Sequence, residues 1–221
     1  MGRGSSFVWA ALLLGAAAPA LPQQPVRVIE TLGVNAEAAS EGTAATHDLH
    51  LTLHLFQGTR WAPAEAVTAV WDAMRLVAPC GIALAGAELR VLEAPARFHV
   101  FSTAVSRELL RDMKAPKPAV FFVEDTRNDP AYEAEAIGRA NSATRPELAD
   151  TVWVTYGSQV LPQALAHELV HLLSDSGDHS TEPGNLMRYD LGPEDTRLTD
   201  AQCQRIRARG EANGLLKKHD R

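Results

Sequence analysis

The segment His167-Glu168-Leu169-Val170-His171 places the strictest demand on the fold of this chain. Two imidazoles four residues apart lie on one face of a helix and can share a metal ion. The segment must therefore be helical, with one face buried in a core and a neighbouring face open to a cleft. Its flanks meet that demand. Ala149–Tyr156 is a β-branched and aromatic run that reads as a strand. Gly157-Ser158 then turns the chain, and Pro162 suits the first turn of a helix. Leu161, Leu165, Leu169 and Leu172 recur at helical spacing and supply the buried stripe. A plain core helix with packed or solvated histidines is the bland alternative, and it has no need of Glu168 between the two His.

Those residue types imply a chemistry. A carboxylate beside a water held by a metal can take its proton while the metal polarises a carbonyl, which is how amides are hydrolysed at neutral pH. A hydrolytic zinc site takes three protein ligands and leaves a fourth position to water. His179 is the first candidate for the third ligand, reached through Ser174-Asp175-Ser176-Gly177-Asp178, in which Gly177 is expected to take the positive φ that ends the helix. Spacing alone leaves Asp178, Glu182 and Glu194 open as alternatives, and Asp175 or Asp178 could instead orient an imidazole.

His167-Glu168-Leu169-Val170-His171-Leu172-Leu173, a Gly, a third His and then Asn185-Leu186-Met187 resemble the metzincin zinc metallopeptidases. Ser174 stands at that family's Gly position and Gly177 at its third-His position, so His179 comes two residues late and implies a longer loop. The resemblance is specific over Ala166–Asp190. It implies an α/β fold with a mixed twisted sheet, an active-site helix, a Met-turn with Met187 beneath the metal, and a C-terminal helix. It also implies zinc on His167, His171 and His179, Glu168 as general base, and a peptide or protein substrate. Tyr189 lies at the offset where two branches of the family carry a Tyr near the zinc; a phenol there can bind the metal or donate to a developing oxyanion. Without a fourth, open position the same site would instead serve a zinc-stabilised binding or structural protein.

Met1–Ala20 carries one charge at Arg3, an apolar stretch from Phe7 to Ala18 and a small-residue cleavage site ending at Ala20. It reads as a signal peptide, so the protein is expected to be secreted or periplasmic. Its removal leaves 20 basic against 27 acidic residues, a net charge of −7 that argues against nucleic-acid binding. No other segment could span a bilayer, and no Cys follows the cleavage site to carry a lipid. Residues 21–46 are expected to be a flexible leader or a pro-segment, because Leu32–Thr46 has few large apolar residues. Residues 47–221 are expected to form one catalytic domain, acting as a monomer.

Leu49, Leu51, Leu53 and Leu55 alternate with His50, Thr52 and His54, predicting a strand with one polar face on which both histidines are solvated or, less favourably, bind metal. Further elements are a helix over 64–77, strands over 82–84 and 89–92, a helix over 105–113 and a strand over 119–123. Ala136–Asn141 is expected to be the edge strand of the cleft, where an extended peptide could pair. Thr199-Asp200-Ala201-Gln202 is a capping box for a last helix, with Leu198 and Cys203 at the offsets of a hydrophobic staple. In an oxidising compartment, Cys80 and Cys203 are expected to form a disulfide, and two buried thiols are the alternative.

Overall fold

The computed structural model describes residues 25–35, 44–126, 136–139 and 146–219. The leucine alternation builds β2 (His47–Phe56), the centre of a seven-stranded sheet. Around it stand β1 (Arg27–Val34), β3 (Ile82–Glu93), β5 (Ala119–Val123), β7 (Ala136–Arg139) and β8 (Thr151–Thr155), in the order β1-β3-β2-β5-β8-β7. The middle strands β3, β2, β5 and β8 run parallel, while β1 and β7 close the two ends antiparallel. A short β9 (Leu216–Lys218) adds antiparallel to the start of β2. A parallel pair, β4 (Val100–Phe101) and β6 (Asp125–Thr126), stands apart.

Three helices cover one face of the sheet: α1 (Pro63–Val77), α3 (Leu161–Ser174) and α4 (Asp200–Ala212). The four leucines of β2, with Val70, Met74, Leu165 and Leu169, form the core between them. The opposite face carries α2 (Thr103–Met113) over an aromatic core in which Phe121 and Trp153 stack at 4.2 Å. This is the mixed α/β architecture expected from the sequence. Among the described residues no helix is long and apolar enough to cross a membrane.

His54 corrects the expected polar face of β2. It is fully buried, stacked at 4.5 Å on Phe121, whereas His50 is exposed as expected. A central parallel strand is covered on both faces, so alternation there separates two cores rather than core from water. β3 is one continuous strand, not two: its register slips by one residue between Leu84 and Gly86, where the poor strand formers Ala85 and Gly86 interrupt the apolar pattern. Arg27–Val34, assigned by composition to the leader, is a sheet strand instead. Its side chains are almost all exposed, Val28, Ile29 and Leu32 among them, and the ladder to β3 holds it. β7 is the edge strand expected over Ala136–Asn141; Ala140 and Asn141, like residues 1–24 and 36–43, lie outside the described residues.

α4 begins with the expected capping box: the Thr199 side chain accepts from the Gln202 N–H, and Gln202 reaches back to the Thr199 N–H. Cys203 in its first turns is bonded to Cys80, with the Cα atoms 4.8 Å apart. The link ties α4 to the 3-10 turn Ala78–Cys80 at the entry to β3.

Candidate metal centre

α3 presents His167 and His171 because its other side is occupied. Leu165, Leu169, Leu172 and Leu173 are buried in the core that α3 shares with α1, α4 and β8, leaving the histidine face toward the loop that follows. The helix ends at Asp175, which adopts the left-handed conformation (φ 48°) and returns its N–H to the last carbonyls. This corrects the role expected of Gly177, which lies outside the positive-φ region. A short polar side chain tolerates that conformation, so the turn does not need the glycine. The reversed chain brings His179 back over the helix.

His167, His171 and His179 then converge. Their ring centroids are 4.5, 4.8 and 5.2 Å apart, and one ligand nitrogen from each lies within 4.8 Å of the others. Among the described residues this is the one group of three such side chains able to hold a metal ion. The backbone fixes how the helical pair points. His167 Nδ1 donates to the Leu186 carbonyl at 2.8 Å, and His171 Nδ1 donates to the Ser176 carbonyl at 2.7 Å. Each Nε2 is thereby left as a lone pair, and the two face one another at 2.9 Å. Facing lone pairs repel unless a cation lies between them. A tetrahedral ion with 2.0–2.1 Å bonds would spread them to about 3.3 Å, a small adjustment.

A proton is a poor cation here. Burial pushes the His167 pKa down to about 4, against the pull of the Leu186 carbonyl, and the neighbouring rings push the same way. Burial also lowers His171. The pair is therefore neutral at physiological pH, the state in which imidazole binds metals. The donor set fits a divalent metal.

The remaining expected residues fall around this cluster. Glu168 is half-buried on α3, one turn before His171. Tyr189 is 65% exposed and stands edge-on to His179 at 5.5 Å between ring centroids. Met187 is buried, with its carbonyl accepting from the Ser180 N–H beside His179. Asp178, the rival third ligand, turns away to Arg205 at 2.6 Å. Glu182 and Glu194 are absent from the cluster, as are His50 and His54. Sequence reasoning assigned no role to the outer residues. Asn185 Oδ1 accepts from the Met187 N–H at 2.9 Å, shaping the turn that offers the Leu186 carbonyl. The buried Asp195 carboxylate accepts from the N–H groups of Gly184 and Gly192 and closes the loop around that turn. An Asn two residues before a buried Met is an Asx-turn signal that could have marked the first of these.

No family model matches this chain, and no curated protein does. Among solved structures it is similar to metalloproteinase-II from Bacteroides fragilis, with a TM-score of 0.51 and 15% identity. The match covers 81% of this chain but 57% of that one, so it spans little more than half of that protein. At this identity the likeness is one of fold.

Proposed function

We propose that the protein is an exported, monomeric zinc-dependent endopeptidase in which His167, His171 and His179 hold the metal and Glu168 is the general base. The observation that carries this reading is the facing Nε2 pair of a His-Glu-x-x-His helix, with both Nδ1 atoms committed to carbonyls and a third His above. When bound, zinc supplies a Lewis acid for the scissile carbonyl and lowers the pKa of a water toward 7. Glu168 takes the proton of the attacking water and passes it to the departing amine. The Tyr189 hydroxyl donates to the oxygen on which negative charge develops. An extended substrate pairs with the outer edge of β7, which ends the described sheet and packs alongside α3. Residues 1–20 act as the export signal, and the catalytic domain starts at β1 rather than at residue 47.

Glu168→Ala tests the reading. The variant should keep about one zinc per chain while cleavage of an unfolded protein substrate falls by roughly 10²–10⁴. Equal cleavage by variant and wild type, or no cleavage of a broad peptide library by the zinc-loaded wild type, would replace the peptidase with a zinc-stabilised binding protein.

A further inference from the structure

α4 grips the metal centre at two points. Arg205 Nη1 lies 2.6 Å from Asp178 Oδ2 and donates to Ser176 Oγ at 3.3 Å. Ser176 provides the carbonyl that orients His171, and Asp178 directly precedes His179. One turn earlier on the helix, the side chains of Gln202 and Asn185 exchange two hydrogen bonds of 3.1 Å. Asn185 shapes the turn whose Leu186 carbonyl orients His167. The carbonyls that orient His167 and His171 thus lie in turns held by α4, and His179 directly follows the Asp178 that Arg205 holds. The helix is itself anchored, since Cys203 sits between Gln202 and Arg205 and is bonded to Cys80, whose carbonyl accepts from Arg207 at 2.7 Å.

We infer that α4 sets the affinity of the metal centre, with Arg205 as a positioning residue for His171 and His179 and Gln202 for His167. This rests on the histidine triad being the metal site. The physical reason is entropic. The 175–179 loop contains Gly177 and is tied internally by one side-chain bond, from the Asp178 N–H to Ser176 Oγ at 3.1 Å, so its conformers must be narrowed further before His179 can serve as a ligand. Arg205 narrows them in advance, because it contacts the loop at two residues at once. Its side chain is 53% exposed and that of Asp178 is 77% exposed, so the ion pair contributes little to global stability and removing it should leave the fold intact.

The test is zinc affinity of the full exported chain, by competition with a chromophoric chelator, for wild type, Arg205→Ala, Asp178→Asn and the double variant. Arg205→Ala should bind zinc about tenfold more weakly, the low end of the loss that follows removal of a group supporting the ligands from outside. Its thermal midpoint without metal should stay within about a degree, and its cobalt-loaded form should keep the wild-type visible spectrum, since the ligands themselves are unchanged. The double variant should bind no more weakly than Arg205→Ala alone. A loss under threefold, an altered cobalt spectrum or additive losses would overturn the assignment. A wild type that bound no zinc would sink the peptidase reading along with it, whereas a tight-binding wild type with an unaffected Arg205→Ala would sink the positioning role only.

Discussion

His167 and His54 are both buried histidines whose charged forms burial disfavours, and they end in opposite chemical situations. Desolvation brings His167 to about 4 and His54 to about 3, the latter helped by the neighbouring Arg90. His167 has one nitrogen fixed by the Leu186 carbonyl and the other facing His171. His54 has no hydrogen-bond partner for either nitrogen among the described residues; it lies flat on Phe121, which lies flat on Trp153. Burial therefore does not make a site. A site needs one nitrogen tied down so that the other points somewhere, and at His54 the ring behaves as an aromatic slab.

The sharpest way to break that contrast is to remove each ring in turn. His167→Ala should weaken zinc binding by well over a hundredfold, beyond the loss expected from any outer hydrogen bond. His54→Phe should leave zinc affinity within twofold. Metal titration of both variants decides the matter, and a comparable loss in His54→Phe would mean that the aromatic face of the sheet takes part in the centre.

The second test uses pH. The folded-state pKa of His54 lies below its unfolded value, so between pH 6.5 and about 3 the unfolded chain binds the extra proton. Stability should fall as pH drops through 6.5 and go on falling toward 3, by up to roughly 5 kcal/mol, an upper figure for a shift of this size. His54→Phe removes that proton site and continues the stack on Phe121. Urea midpoints at pH 7 and pH 4 should converge in the variant relative to wild type. Unchanged acid sensitivity would assign the acid limb to other groups.

The two histidines also mark what was legible in the sequence. The convergence of the three histidines could be read because its signal is local: helical spacing fixes His167 against His171, and a short loop returns His179. The α4 cap was readable for the same local reason, and the disulfide because the chain has two cysteines to pair. His54 was misplaced because alternation along one strand says nothing about what covers its second face. That depends on α2 and on Phe121 and Trp153 from other strands. β1 does carry a strand signal, with Val26, Val28, Leu32 and Val34 on alternate positions, and the small and polar residues that follow it in 35–46 mask that signal when the segment is read by composition. The Gln202–Asn185 contact and the grip of Arg205 have no such local signal, because they exist only once α4 docks beside the histidine loop.

The smallest expected effect lies at the exposed rim of the site, where a third histidine is held by neither of these means. His179 is exposed, and Tyr189 stands edge-on against it at 5.5 Å. Tyr189→Phe keeps that ring contact and removes only the hydroxyl. If the hydroxyl acts solely on charge that develops during reaction, zinc affinity and KM should stay put while kcat falls severalfold, less than the loss from Glu168→Ala because one donor is removed and the base remains. Tyr189→Ala, which also removes the ring, should in addition weaken zinc binding through His179. A fall in metal affinity already in Tyr189→Phe would instead make the phenol oxygen a ligand. The rim would then resemble His167, with an atom fixed and aimed, rather than His54, with a ring merely packed.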